Sequence, residues 1–386
     1  MRILHTSDWH LGRTLHGVDL LEHQRVFLDH LVGLVHDRDI NVVLVAGDVY
    51  DRAVPAVPTV HLLSEALRRL SDLATVIVTP GNHDSAERLG FAAELMRPGL
   101  HIRASVKRID EPTIVADEHG SVAFYGLPYL DPDAVRGVLA DPNTDRPLPR
   151  SHEAVMAAAM DRVRADLATH DTARAVVVVH AFVFGGAVSE SERDIRVGGV
   201  DSVPSQIFHG VDYVALGHLH GPQRVGGQRP VIRYSGSPLA FSFGERNHVK
   251  SSVIVDLDAA GNVTTELVPV PVPRRLAEVT DSIENLFDGR HDHLAETWLR
   301  VFVTDPAYPA QLFTRVKERF PHALAIHHTP LGGAAQRHLQ VVTAAHDPLE
   351  IAAEFVEYAT GATPTQAELA VLRSAYEQAL ATEASG

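Results

Sequence analysis

The sequence predicts an α/β protein, and three observations carry that prediction. Residues 1–270 repeat a strand, loop and helix rhythm, the strand runs are apolar along their length, and short clusters of His, Asp and Asn stand where those runs end. A strand with one wet face alternates polar and apolar residues. An unbroken run such as Val42–Ala46 belongs instead in a sheet covered on both faces.

Residues 3–5 open the first strand, and residues 20–35 carry apolar side chains at 20, 21, 27, 28, 31, 32, 34 and 35, a helical stripe. After the Val42–Ala46 strand, Leu63, Leu67 and Leu70 mark a second helix entered past Pro55 and Pro58. Residues 74–79 form another buried strand, and Asp84 or Ser85 is placed to cap a helix running through Met96. A strand near 121–126 follows, then a Pro- and Asp-rich loop over 131–149. A helix with apolar positions 155, 156, 159, 160, 163 and 167 leads into a strand at 175–179. Beyond a strand at 213–216 the pattern turns mainly β, at 231–235, 252–257 and 263–268, with Gly261-Asn262 as a turn. Alternating Pro and Val over 269–273 reads as a linker. A strand at 299–304, a helix near 310–320 and a strand at 322–328 then suggest a small strand–helix–strand domain. About 347–384 reads as helical, with Leu369, Leu372, Tyr376 and Leu380 on one face. The expected domains are therefore 1–270, 274–345 and a helical segment 346–386.

Composition narrows the function classes. The chain has 386 residues, 45% hydrophobic and 22% charged, as an ordinary globular protein does. It shows no spanning apolar run and opens directly on a strand without a signal-peptide pattern, so a cytoplasmic protein is expected. With no cysteine, disulfides and thiolate metal sites are excluded, and any metal must be held by His, Asp, Glu or Asn. The net charge of −15 argues against gripping nucleic acid over the whole surface. A local metal centre or a partner subunit would have to supply that grip.

The clusters read Asp8-Trp9-His10, Gly47-Asp48, Gly81-Asn82-His83-Asp84, His180 and Gly217-His218-Leu219-His220. In a sheet with crossover helices, the carboxyl ends of the strands are where ligands are collected. A dinuclear centre needs one carboxylate bridging both ions and further ligands on each. Asp48 suits the bridge, because Gly47 lets the backbone approach closely. Asp8 and His10, two apart on one loop, can turn onto one ion. Asn82 offers a carbonyl oxygen, and His180, His218 and His220 complete the shells. Nitrogen and oxygen ligation without thiolate suits Mn²⁺, Fe²⁺ or Zn²⁺ better than Ca²⁺. His83 is assigned to the transferred phosphate, as a proton donor or charge neutraliser, and Asp84 to holding the His83 ring in one tautomer.

In that order the clusters resemble the calcineurin-like metallophosphoesterases. The segments His5-Thr6-Ser7-Asp8-Trp9-His10-Leu11-Gly12, Gly47-Asp48-Val49-Tyr50-Asp51, Tyr234-Ser235-Gly236-Ser237-Pro238 and Phe241-Ser242-Phe243-Gly244-Glu245 resemble the bacterial SbcD nucleases within them. The resemblance is strong over 1–270 and rests on layout beyond. It implies a four-layer α/β/β/α sandwich with a small α/β capping domain and a C-terminal helical segment. It also implies one ion on Asp8, His10, Asp48 and His220, a second on Asp48, Asn82, His180 and His218, and His83 as the catalytic histidine. Archaeal and eukaryotic relatives carry a second active-site histidine shortly after the bridging Asp, where this chain has Asp51-Arg52, so no second histidine is assigned.

The implied activity is Mn²⁺-dependent hydrolysis of DNA phosphodiesters, as double-strand exonuclease and single-strand or hairpin endonuclease, in DNA repair, recombination and replication. The implied partners are an SbcC-type ATPase, with its coiled-coil base docking the C-terminal helix, and a second copy of the chain in a two-plus-two assembly. Leu62, Leu63 and Leu67, with Phe91, Leu95 and Met96, are candidates for the dimer face. A phosphoesterase acting on nucleotides or phosphoproteins is the alternative; a cap and a docking helix disfavour it. A scaffold that has lost its metals is disfavoured because every ligand position is filled.

Overall fold

The structure is a computed structural model. It describes residues 1–143, 146–172, 174–187, 202–330, 349, 352–353, 356 and 364–383. The chain divides into two compact units, Met1–Thr329 and Pro330–Gly386.

Two six-stranded sheets face each other in the first unit. One runs Val263–Pro269, Ser251–Leu257, Arg2–Thr6, Val42–Ala46, Thr75–Thr79, Leu100–Ile102; the other runs Gln223–Val225, Val231–Tyr234, Tyr213–Gly217, Arg174–His180, Gly120–Gly126, Thr113–Asp117. The central strands of both are parallel, in register Leu4↔Val43↔Val76 in the first and Val122↔Arg174 and Val176↔Tyr213 in the second. The antiparallel pairs stand toward the edges, with 251–257 joining residues 2–5 and the hairpin partner 263–269.

Strand alternation explains the unbroken apolar runs. Val42, Leu44 and Ala46 point between the sheets, where they meet Val176, Val178, Tyr213 and Ala215 of the facing sheet. Val43 and Val45 point outward, under Phe27, Leu28 and Leu31 of helix Leu21–Asp37 and Leu62, Leu63 and Leu67 of helix Val57–Ser71. On the far side, Val177 and Val179 pack under Val155, Met156, Ala159 and Met160 of helix His152–Leu167. Helix, sheet, sheet and helix thus form four layers, as expected. Each fully buried aliphatic side chain contributes about 1.5–3 kcal/mol.

Several expectations need correction. The helix through Met96 is a single turn, Ala86–Leu89, capped by Ser85 and followed by the 3₁₀ turn Ala93–Leu95. Ala92 between them lies at φ 58°, a left-handed conformation that an α-helix cannot continue through. The strands Leu100–Ile102, Thr113–Asp117, Gln223–Val225 and Leu276–Asp281 carry no strong sequence signal; all four stand at sheet edges. The Pro-Val linker starts inside the sheet, because Pro269 pairs with Ser251 and the Val270 amide donates to the Lys250 carbonyl. Pro on an edge strand loses no ladder bond that the sheet needs.

A small all-parallel sheet, Leu276–Asp281, Trp298–Val303 and Ala323–His328, completes the unit. Helix Leu312–Arg319 covers it through Leu312 and Val316. The sheet meets the larger core through Trp298, clustered with Leu15, Leu20, Leu239 and Phe241. Arg300 stacks over Phe243, and Arg246 pairs with Glu278.

In the second unit, helix Gln366–Glu383 is opened by a Thr365–Glu368 capping box. Leu369 is exposed, Leu372 and Tyr376 are half-buried, and the Leu380 side chain lies outside the described residues, as do residues 331–348. Among the described residues, no helix is long and apolar enough to cross a membrane.

Candidate metal centre

The sandwich delivers its charged loops to one end. Asp8 and His10 follow the Arg2–Thr6 strand, Asp48 follows Val42–Ala46, Asn82 follows Thr75–Thr79, His180 ends its own strand, and His218 and His220 follow Tyr213–Gly217. These are the carboxyl ends of three neighbouring parallel strands of one sheet and two of the other. Asp8, His10, Asp48, His83, His180, His218 and His220 are all buried.

The backbone departs from ordinary conformations to bring them together. Asp8 (φ 53°), His10 (φ 42°), Asp48 (φ 48°) and His218 (φ 107°) all sit at positive φ. Such conformations cost about 1–3 kcal/mol each and persist where surrounding structure enforces them. Gly47 sits at φ 80°, and a Cβ there would stand 2.3 Å from His180 Nδ1. A Cβ on Gly217 would stand 1.7 Å from the Ala46 carbonyl oxygen, so the two sheets touch at this point. Gln24, fully buried on helix Leu21–Asp37, ties the first loop down by donating to the Trp9 and His10 carbonyls and accepting from the Gly12 amide.

Three groups of ligand atoms converge to within 4.8 Å: Asp8, His10 and His220; His10, Asp48 and His83; Asp8, Asp48 and His180. His10 Nε2 lies 3.1 Å from His220 Nε2 and 3.5 Å from Asp48 Oδ2. His180 Nε2 lies 2.9 Å from Asn82 Oδ1 and 3.5 Å from the same Asp48 oxygen. Asp48 Oδ2 therefore stands between the two sets. The His218 ring is 5.3 Å from the His180 ring, and the His218 amide donates to Asp8 Oδ1. All seven expected metal residues meet in one place, and Asp8 also reaches the Asp48–His180 group.

The imidazole tautomers follow from the partners. His180 Nδ1 donates to the Ala46 carbonyl, which can only accept, so Nε2 faces the cluster. His220 Nδ1 stands 3.4 Å from Glu245 Oε1, which likewise turns Nε2 inward. Burial, reinforced by His180, lowers the His218 pKa to about 3, and burial holds His10 well below the usual histidine range. Burial works to raise the Asp48 carboxyl, but His180 and His10 outweigh it and hold it well below the usual carboxylate range. Burial works to lower the His180 pKa, but Asp48 outweighs it and raises it to about 9, so the ring carries a proton that a bound cation would displace. An ionised carboxylate among imidazole nitrogens, plus an amide oxygen, is a donor set that fits divalent cations of the Mn²⁺ to Zn²⁺ group.

His83 stands beside the cluster, with Nε2 3.9 Å from Asp48 Oδ2 and its ring 4.6 Å from His10. The tautomer expectation for Asp84 needs correction. His83 Nδ1 donates to the main-chain carbonyl of Asp51, at 2.9 Å. The Asp84 carboxylate accepts instead from the amides of Val49, Tyr50 and Gly81, which joins the Asp48 loop to the Asn82 loop. Burial, with Asp48 nearby, raises the Asp84 pKa to about 7, and the three amides pull the other way.

Sequence reasoning missed Gln24, Ser7, Glu245 and Lys250. Ser7 donates to Asp8 Oδ2 at 2.5 Å. Glu245 had a signal, an acid within the aromatic run Phe241-Ser242-Phe243-Gly244, though no role followed from it.

A family model described as calcineurin-like phosphoesterase matches residues 1–222. A second, described as type 5 capsule protein repressor C-terminal domain and labelled SbcD_C, matches residues 264–360. Among solved structures, the chain is similar to TT1561 of Thermus thermophilus, at 17% identity over 69% of this chain and 98% of that one, with a TM-score of 0.39. It is also similar to the calcineurin-like phosphoesterase YfkN from Bacillus subtilis, at 12% identity over 70% and 90%, with a TM-score of 0.38. With more than half its length matched by the first model and an SbcD-type C-terminal region behind it, the chain belongs to the calcineurin-like phosphoesterase family as an SbcD-type member.

Proposed function

We propose that the chain is the nuclease subunit of an SbcCD-type complex, hydrolysing DNA phosphodiesters at a two-ion centre with Mn²⁺ as the working metal. The observation that carries the reading is Asp48 Oδ2 standing 3.5 Å from both His10 and His180, on a chain whose C-terminal region matches the SbcD type. Asp8, His10, Asp48 and His220 hold one ion; Asp48, Asn82, His180 and His218 hold the other. Bound there, the ions supply Lewis-acid polarisation of the phosphoryl group and acidify the attacking water.

The protein's own groups do the rest. The main-chain oxygen of Asp51 fixes the His83 ring so that Nε2 faces the cluster. From there His83 contacts the scissile phosphate and holds a proton for the leaving oxygen. Asp84 acts on the loops rather than on the ring, keeping Asp48 and Asn82 in mutual register. A chain of net charge −15 leaves DNA binding to the metal centre and to its partners.

We assign residues 1–270 to the nuclease domain, 274–345 to a DNA-positioning cap, and 346–386 to docking an SbcC-type ATPase. In the expected dimer face, Leu62, Leu63 and Leu67 are at most 6% exposed and belong to the core. Phe91 and Leu95, 80% and 86% exposed, and Met96 support a face for a second copy of the chain. The setting is cytoplasmic DNA end processing.

The test is a nuclease assay on hairpin and single-stranded DNA, with and without the ATPase and ATP, across Mn²⁺, Mg²⁺ and EDTA. Mn²⁺-dependent cleavage abolished by EDTA is expected. Hydrolysis of nucleotides with no cleavage of DNA would overturn the reading.

A further inference from the structure

The segment 237–250 carries a buried ion pair that the proposed reaction does not use. Glu245 is 1% exposed and Lys250 3%, and the two side chains are in contact. A buried charge pair is a weak stabiliser at best, and an apolar pair of similar volume would pack as well. Its placement is informative. Lys250 Nζ donates to the His220 carbonyl at 3.0 Å and to Ser237 Oγ at 2.8 Å. Glu245 Oε1 faces His220 Nδ1 at 3.4 Å and accepts from the Phe241 amide at 3.1 Å. The pair thus holds His220 at both ends, carbonyl and ring. Phe241, whose amide binds the same carboxylate oxygen, packs edge-on against His10 at 5.2 Å and His220 at 5.5 Å.

We propose that Glu245, seated by Lys250, is a positioning residue that fixes the ring orientation and tautomer of His220. This rests on the reading that His220 holds a metal ion. A carboxylate opposite Nδ1 keeps the proton on that nitrogen, leaving the Nε2 lone pair toward Asp8 and His10 and raising its basicity. Lys250 cancels the added negative charge, so the centre keeps the net charge set by Asp8 and Asp48.

The test compares wild type, Glu245→Leu and the double variant Glu245→Leu with Lys250→Met by calorimetric titration of the metal-free full chain with MnCl₂. Thermal melting and the ¹⁵N shifts of the His220 ring are recorded alongside. The single variant leaves Lys250 buried without its anion, and it loses both stability and affinity. The double variant removes both charges and melts above the single variant. If Glu245 positions His220, the double variant still binds Mn²⁺ about 10–100-fold more weakly, the range for lost outer partners of a ligating histidine. Its His220 ring also loses the fixed Nδ1–H tautomer. Full Mn²⁺ affinity in the double variant overturns the inference and reduces Glu245 to the counter-charge of Lys250. Wild-type protein that binds no Mn²⁺ overturns the proposed function, and this inference with it.

Discussion

Asp84→Asn perturbs the joint between the two loops that carry Asp48 and Asn82. Oδ2 accepts from the Val49 amide at 3.0 Å and the Gly81 amide at 2.9 Å, and Oδ1 accepts from the Tyr50 amide at 2.9 Å. An asparagine with its oxygen in the Oδ2 place keeps two of these bonds and turns its NH₂ onto the Tyr50 amide; the opposite flip faces two donors. Above pH 7, where the Asp84 carboxyl is ionised, the better flip leaves one buried donor unpaired, about 1–3 kcal/mol, and moves two bonds from a charged acceptor to a neutral one, roughly 1 kcal/mol each. The expected loss is therefore about 3–5 kcal/mol. Urea unfolding should show a lower midpoint at unchanged slope, and calorimetry should show weaker Mn²⁺ binding as the two loops lose their register. Lost stability with full Mn²⁺ affinity would refute the joint. Unchanged stability would refute the hydrogen-bond assignment itself.

Three further outcomes are expected. His5 is fully buried, donates through Nε2 to the Leu216 carbonyl and accepts from the Tyr213 hydroxyl, and burial lowers its pKa to about 3. Its folded pKa lies below the unfolded value, so the stability it contributes is present above about pH 6.5 and is lost as pH falls toward 3. Between pH 4 and 6, His5→Phe should show a stability slope about 1.4 kcal/mol per pH unit shallower than wild type, whatever the offset from its unpaired partners; equal slopes would contradict the neutral His5. Gly217→Ala should melt far below wild type or fail to fold, because its Cβ meets backbone at 1.7 Å, while Gly227→Ala, with nothing within 4 Å, should melt near wild type. Leu95→Glu should shift the sedimentation coefficient from dimer to monomer, and an unchanged value would remove the Phe91–Met96 face from the dimer.

The layered core was legible because it depends on patterns local to the sequence. An apolar run such as 42–46 can sit only between two covered faces, and the helices facing it show their own stripes. The clustering of Asp8, His10, Asp48, Asn82, His180, His218 and His220 was legible because each stands at the end of a strand that the pattern marks. What failed depends on contacts between distant residues. Asp84 adjoins His83 in sequence, yet its oxygens turn to Val49 and Tyr50, more than thirty residues away. Glu245 gains its place from His220, on another segment 25 residues away. Leu62, Leu63 and Leu67 looked available for a dimer because a helical stripe does not say what covers it. The edge strands went unseen because a short strand with one neighbour is held by pairing rather than by burial.

The clustered His, Asp and Asn residues are proposed to hold two ions while His83 stands apart to act on the phosphate. Metal content and DNA cleavage should be measured together on wild type and His83→Ala loaded with Mn²⁺. Equal bound Mn²⁺ is expected in both proteins, with cleavage reduced about 10²–10⁴-fold in the variant, the range for a lost general acid. A variant that loses its metal but cleaves at the wild-type rate per bound ion would make His83 a ligand and contradict its role on the phosphate.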